Sequence, residues 1–415
     1  MNKLNNISVN FLMIVFCLLI SQSASYADAD VLTIDDAMKV AVATHPLVLS
    51  KKSELAAAGF AVDVSKWLRF PSLSASTNAG QRGQGITTTL IVDQPIWAWG
   101  KISSQIDASK AREIGAEAAV IDAQQTILTK VVTAFCQVVL YKEKLVVADD
   151  SVNQYERLYQ LMTRRAASEV SPKSELLLTK SRLEGARSER FQLMTSYENS
   201  KADLEQLVGE KIESVSYPKV NLALRNSLDE DIQKAVEFSA QIKQYQAQIL
   251  AADADIEAKK SAYYPQLSAR YEQFWGGNYP PNTLFLALTF QPGAGLSAIS
   301  SVRQAEATKN SSEAAVEATK KDVVDKLRVD FNQVVSSSNT AEIYEEYSKS
   351  TLGVYESYLR QFTAGRKSWM EVMNAYKEVT QSKYSLLESR WNGTLSNYKI
   401  DIATGTLSPI ALSIF

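Results

Sequence analysis

Histidine is almost missing from this chain of 415 residues: His45 stands alone, and cysteine is limited to Cys17 and Cys136. Multi-histidine zinc sites, four-cysteine sites and any catalytic arrangement needing two imidazoles are thereby excluded. Glycine (16 residues) and proline (10 residues) make up about 4% and about 2% of the chain, well under their usual shares of about 7% and about 5%, so long helices are favoured over a loop-rich sandwich. Neither sign of charge dominates. The 44 Lys plus Arg against 46 Asp plus Glu leave a net charge of −2, without the basic excess that nucleic-acid binding needs. A phosphate-binding loop is lacking too, because Gly80-Gln81-Arg82-Gly83-Gln84-Gly85 has no Lys-Ser or Lys-Thr after it and joins two strand-like runs. The composition points away from an enzyme and implies no cofactor or metal.

What is present begins with an export address. Lys3 precedes an apolar run over residues 9–20 and then Ser25-Tyr26-Ala27, a small-x-small site before Asp28, which reads as a cleaved signal peptide of residues 1–27. The run of twelve residues is short for a bilayer-spanning helix, which takes about 20. Cleavage removes Cys17, so no internal disulfide forms. Cys136, within Ala134-Phe135-Cys136-Gln137-Val138-Val139, reads as a small packing residue.

The remainder is written twice. Phe70-Pro71-Ser72-Leu73-Ser74-Ala75 recurs as Tyr264-Pro265-Gln266-Leu267-Ser268-Ala269 at an offset of 194. Asp93-Gln94-Pro95 recurs as Phe290-Gln291-Pro292 at 197, and Phe135-Cys136-Gln137-Val138-Val139 as Phe331-Asn332-Gln333-Val334-Val335 at 196. Glu175 and Glu371, then Gly209 and Gly405, keep the offset of 196. Preserved order over five matches indicates a tandem duplication: a first repeat at 28–209, a linker at 210–227 around Pro218, a second repeat at 228–405 and a tail at 406–415.

Each repeat reads helix, strand, strand, very long helix, long helix. The first spans helix 35–68, kinked by His45-Pro46, strands 72–79 and 87–94, and helices 101–164 and 172–208. The second spans helix 228–262, strands 266–274 and 284–290, and helices 298–362 and 368–403. Heptad seams such as Leu176, Leu183, Tyr197 and Leu204 beside Ala186, Leu193 and Leu207 predict coiled-coil packing. The fold class is mostly α, with four strands per chain.

Those strands alternate: Leu267, Ala269 and Tyr271 share one face, Gln266, Ser268, Arg270 and Glu272 the other, and Leu284, Leu286, Leu288 and Phe290 line one face of the last strand. Two architectures satisfy this pattern. One is a sheet capping a helical bundle, apolar face inward; the other is a membrane barrel, apolar face outward. Trp67, Phe70, Trp97, Trp99, Tyr263, Tyr264 and Trp275 lie in or beside the strands, with Tyr279 near them, where a membrane-interface girdle belongs. Four strands cannot close a barrel, so the second architecture requires oligomerisation; three chains supply twelve strands and room for a channel.

Tyr264-Pro265-Gln266-Leu267, Asp93-Gln94-Pro95-Ile96-Trp97 before Gly100-Lys101, and Leu207-Val208-Gly209 resemble the TolC family of outer-membrane export ducts. The likeness covers nearly all of the exported chain. Phe362-Thr363-Ala364-Gly365-Arg366-Lys367-Ser368-Trp369-Met370-Glu371-Val372-Met373-Asn374-Ala375 resembles, more narrowly, members serving type I secretion of large surface adhesins. The resemblance implies a homotrimer in the outer membrane of a Gram-negative bacterium, with a twelve-stranded barrel in lipid and a helical tunnel in the periplasm. Its implied partners are a periplasmic adaptor (membrane fusion) protein, an inner-membrane ATP-binding-cassette transporter and an exported protein. On the same fold the alternative is a multidrug or metal efflux duct; a periplasmic coiled-coil scaffold is the alternative of another class.

The turns between the long helices then become periplasmic tips, where Arg165, Ser168 and Ser171 in the first repeat and Gly365, Arg366, Lys367 and Ser368 in the second offer polar groups to an adaptor. Ser171 and Ser368 also read as helix N-caps. The family places acidic rings at a constriction inside the tip, and Glu371 and Asn374 occupy the matching positions, one turn apart on one face. The bland alternative for Glu371 is a solvent-facing partner of Arg366 or Lys367.

Overall fold

The computed structural model describes residues 31–79, 86–276 and 282–407; the signal peptide, the Gly80 to Gly85 loop, Tyr279 and most of the 406–415 tail lie outside them. The chain runs α1 (Ile34–Thr44), α2 (Pro46–Trp67), β1 (Ser72–Ala79), β2 (Ile86–Trp97), α3 (Lys101–Ala167), α4 (Lys173–Val208), α5 (Leu228–Phe238), α6 (Ala240–Lys260), β3 (Gln266–Trp275), β4 (Asn282–Thr289), α7 (Ala298–Thr363) and α8 (Trp369–Ala403). With 67 residues in α3 and 66 in α7, each of these helices is about 100 Å long at 1.5 Å per residue.

Shorter helices stack end to end along the two long ones. The start of α2 at His45 meets the end of α4 at Gln206 and Leu207 beside the middle of α3, and the start of α6 at Ser239 meets the end of α8 at Ile402 and Ala403 between α3 and α7. Both breaks are written in capping chemistry. Pro46 opens α2 and the Nδ1 of His45 accepts from the Leu47 N–H at 3.1 Å, so the only histidine is a helix cap. Residues 228–262, read from sequence as one helix, are instead α5, α6 and a short turn, because the Ser239 side chain caps α6 by accepting from the Ile242 N–H at 3.4 Å. No proline marks that break, and the apolar period runs across it.

The main core sits where the helices exchange partners. Met38, Ile127, Val131, Phe135, Leu204 and Trp391 are buried there together, and the Trp391 indole donates to Glu143 Oε2 at 2.6 Å. Its repeat counterpart is smaller, formed by Ala235, Leu327, Val334 and Ile400. Cys136 is buried in the main core, and desolvation pushes its thiol up to about 12, so it packs as a neutral apolar group. The 210–227 linker is tied back through Val215, which bridges to Leu32 in parallel.

The seam between α7 and α8 is built from small hydroxylated residues. Thr351 meets Ser382 at 3.1 Å, Thr340 meets Ser389 at 2.6 Å, and Ser389 donates to the Ser337 carbonyl at 2.9 Å. Gly393 completes the approach: a Cβ there would lie 2.5 Å from Leu222 Cδ2 and 2.8 Å from Ser337 Cβ. Gly393→Ala should therefore cost about 1–3 kcal/mol by overpacking, whereas Gly353→Ala, with nothing within 4 Å of its added methyl, should gain up to about 1 kcal/mol in helix propensity. Thermal unfolding midpoints that move in opposite directions are the expected result.

Candidate functional site

The four strands form one antiparallel sheet in chain order, β1-β2-β3-β4. Its register places Leu73 opposite Val92, Val92 opposite Tyr271 and Tyr271 opposite Leu284; likewise Ala75, Leu90 and Gln273 align, as do Ala269 and Leu286. One face is therefore mainly apolar, interrupted by Gln94, Gln273 and Asn282. On the outer strands it is bare, with Leu73, Leu284, Leu286 and Leu288 70%, 75%, 66% and 71% exposed in the single chain, while Leu90, Val92, Ala269 and Tyr271 on the inner strands are half-buried. The other face is mainly polar, with Ser72, Ser74 and Ser76, then Thr87, Thr89 and Asp93 around Ile91, then Ser268, Arg270 and Glu272, then Thr283 and Thr289 around Phe285 and Ala287. Asp93 and Arg270, paired across the strands, form an ion pair there with Nε donating at 2.9 Å and Nη2 at 2.5 Å to one carboxylate oxygen. Among the described residues β1 and β4 each have one neighbour, so both sheet edges are open.

The sequence-selected aromatics are divided by the structure. Trp67 and Phe70 (centroids 5.0 Å apart), Trp97 and Trp99 (6.0 Å) and Trp99 stacked on Tyr264 (4.6 Å) surround the helix-proximal end of the sheet, with Tyr263 exposed beside them. Trp275 ends β3 at the opposite rim. Trp99 holds a left-handed backbone, φ 48°, just before Gly100 at 78°. Its indole N–H donates to the Pro265 carbonyl at 2.8 Å. That bond and the Tyr264 stack hold an otherwise unfavourable conformation. The register shift between Pro95 and Trp97 places Ile96 as the extra residue of a bulge. Among the described residues no helix is long and apolar enough to cross a membrane.

At the far end of the long helices the two turns lie against each other. The Arg165 guanidinium sits 4.8 Å from the Phe362 ring centre, and its Nε donates to Ser171 Oγ at 3.1 Å. Ser171 is therefore not the N-cap expected from sequence: Pro172 occupies that position, without a side-chain cap. In the second turn Gly365 adopts φ 73°, and the Arg366 N–H closes on the Gln361 carbonyl at 2.9 Å, a helix stop of the Schellman kind. Ser168 and Arg366 are exposed.

Ser368 does cap α8. It forms a reciprocal capping box with Glu371, and Lys367 Nζ reaches Glu371 Oε1 at 2.7 Å while lying 4.3 Å from the Tyr358 ring centre. The Lys367 ammonium and the Ser368 donors hold the Glu371 carboxyl down to about 2. Asn374 is exposed and accepts from Arg182 Nη2 at 3.3 Å. Two residues that sequence reasoning left out of the site stand between the tips: Arg182, and Trp369, which is fully buried against Phe362 and donates to Thr179 Oγ1 at 2.6 Å. A tryptophan immediately after an N-cap serine was the available signal for Trp369; nothing in the sequence singled out Arg182.

Comparison with known proteins follows this geometry. Residues 37–210 match the family model described as "Outer membrane efflux protein", and no curated protein matches the chain. Among solved structures, a membrane protein from Pseudomonas aeruginosa is similar at TM-score 0.80 and 15% identity, covering 89% of this chain and 90% of that one. VceC, an outer membrane protein of Vibrio cholerae, is similar at TM-score 0.79 and 15% identity, with 90% and 96% covered. CusC, whose structures concern folding and transmembrane channel formation, is similar at TM-score 0.79 and 14% identity, with 92% and 94% covered. Residues 37–210 thus match the outer membrane efflux protein family model, and the chain as a whole shares the fold of these solved structures.

Proposed function

We propose that this chain is the passive outer-membrane duct of a Gram-negative export machine. Three copies close their sheets into one twelve-stranded barrel, and their long helices continue it as a periplasmic tunnel that works with a periplasmic adaptor and an inner-membrane transporter. The observation that carries the reading is a mainly apolar sheet face, bare on its outer strands at Leu73, Leu284, Leu286 and Leu288, in a sheet whose two outer edges are open among the described residues. In water such a face is a liability; in lipid it is the outer wall of a barrel. A capping sheet would turn that face onto the helices, and a periplasmic scaffold would leave it wet. The duct performs no catalysis, and the transporter supplies the energy.

For the cargo, we read type I secretion of a large protein such as a surface adhesin, driven by an ATP-binding-cassette transporter. What supports it is the tip segment from Phe362 to Ala375. Efflux of drugs or metals is the second reading, supported by the description of the matching family. Deleting the gene separates them: loss of a large surface protein with drug and metal tolerance unchanged supports secretion, and the reverse supports efflux.

In this reading the adaptor meets the tips through Arg165, Ser168, Ser171, Gly365, Arg366, Lys367 and Ser368, of which Ser168 and Arg366 are exposed and Arg165 and Ser171 are bound to each other. Glu371 and Asn374 form the constriction ring. Glu371 brings its own counter-charge in Lys367, which reduces the repulsion among three copies around an axis.

Mass measurement of the detergent-extracted protein should give a homotrimer; a monomer soluble without detergent would refute the barrel. Leu286→Arg, on the bare face, should hinder insertion by about 2–4 kcal/mol, while Ser268→Arg, on the polar face, should assemble normally. Glu371→Gln in planar bilayers should keep the trimer but lower cation preference and multivalent-cation block, with a smaller effect from Glu175→Gln. The Glu371 carboxyl is held below its ordinary 4.5, so its stabilisation of α8 is complete above that pH. It is lost as pH falls toward about 2, and circular dichroism on the wild type and Glu371→Gln should converge over that interval.

A further inference from the structure

Between α3, α4 and α8, on the bundle side of the tips, lies a cavity of about 370 Å³ lined by Tyr155, Arg182, Glu189, Lys377, Thr380 and Tyr384 among others. Two buried polar atoms among these residues have no hydrogen-bond partner among the described residues: Arg182 Nε and the Tyr384 hydroxyl. Tyr384 is only 6% exposed. Buried donors are almost always satisfied in folded proteins, so two unsatisfied ones lining one cavity call for a ligand.

The charges define which ligand. Neighbouring arginines on α4 are neutralised by carboxylates: Arg187 pairs with Glu156 and Glu184, and Arg190 with Asp149. Arg182 has no carboxylate partner among the described residues, and its one side-chain bond is the 3.3 Å contact to Asn374. Lys377 adds a second cation to the wall. Glu189 is the one carboxylate of the lining, and burial raises it above the ordinary range, against the pull of Lys144 and Lys377. Burial also raises Tyr384, so its hydroxyl stays protonated and able to donate. The hydroxyl of Thr380 is already directed to Ser151 Oγ and the Tyr376 carbonyl. Two cations and an unpartnered phenol hydroxyl against a single carboxylate suit an acceptor-rich anion and disfavour a metal ion.

We propose that this cavity is a binding site for a small free oxyanion of the carboxylate or phosphate class, held by the Arg182 guanidinium and the Lys377 ammonium with the Tyr384 hydroxyl as an additional donor. The site is independent of what the duct transports. It lies in the helical wall, and its one link to the constriction is the bond from Arg182 to Asn374.

Isothermal titration of inorganic phosphate and of citrate into the full-length detergent-solubilised protein, at matched ionic strength in chloride, tests the proposal. Saturable binding at one site per chain is expected. Arg182→Gln should weaken it about tenfold or more, Tyr384→Phe should weaken it less, and Glu189→Gln should tighten it. Lys180→Gln, an exposed charge change on the same helix, should leave it unchanged. Absence of saturation in the millimolar range, or equal losses from Lys180→Gln and Arg182→Gln, would overturn the site, since the first leaves only a hydrated gap and the second only diffuse charge. Thermal midpoints of each variant accompany the titrations. If Arg182→Gln fails to assemble, the opposed signs of Tyr384→Phe and Glu189→Gln still decide.

Discussion

A backbone hydrogen-bonding group at a sheet edge has nowhere to turn in hydrocarbon, and the proposed barrel rests on this constraint. The sheet contains four strands with matched outer strands of eight residues each, β1 and β4, and neither outer edge is covered by another described element. Each unpaired group in lipid costs several kcal/mol, so a sheet whose apolar face meets lipid must have its edges joined. Joining β4 of one copy to β1 of the next is a head-to-tail contact that closes into a ring when the rotation permits. The polar face, with its Asp93–Arg270 pair, is then turned to the lumen.

The helical part answers a different demand, a wall about 100 Å long built from one chain. Two uninterrupted helices, α3 and α7, give the length, and the shorter helices stack beside them in two tiers. Where the tiers meet, capping by His45 and Ser239 supplies partners for N–H groups that the helix ladder leaves unpaired. The largest core cluster occupies the same level. Toward the tips the α7–α8 seam thins for a stretch to Ser, Thr and Gly, which lets the helices approach closely and replaces apolar bulk with short hydroxyl contacts.

At the tips, the same economy of interactions couples two turns that are about 200 residues apart in sequence. Trp369 is buried between them with its indole bonded to Thr179, and Arg165 covers Phe362. The apolar cluster that contains Phe362, Trp369, Tyr376 and Tyr155 continues up the bundle and ends near the cavity of Arg182 and Tyr384. The tip is therefore one packed unit in which a cap, an ion pair and two aromatic contacts share residues.

The long helices, the strand alternation and the N-cap at Ser368 were legible in the sequence, because each depends on spacing within a single element or on residues a few positions apart. Leu284, Leu286 and Leu288 announce an apolar face at period two wherever they are placed. Tertiary structure alone decided that this face aligns with Leu73 and Val92, since register between strands is set by pairing and not by either strand's own pattern. It also decided the break at Ser239, where an N-cap won over an uninterrupted helical period. Ser171 became a partner of Arg165 because Pro172 took the cap position. Arg182 acquired its meaning only when α8 came to lie beside α4, a contact across more than 190 residues that no local signal encodes.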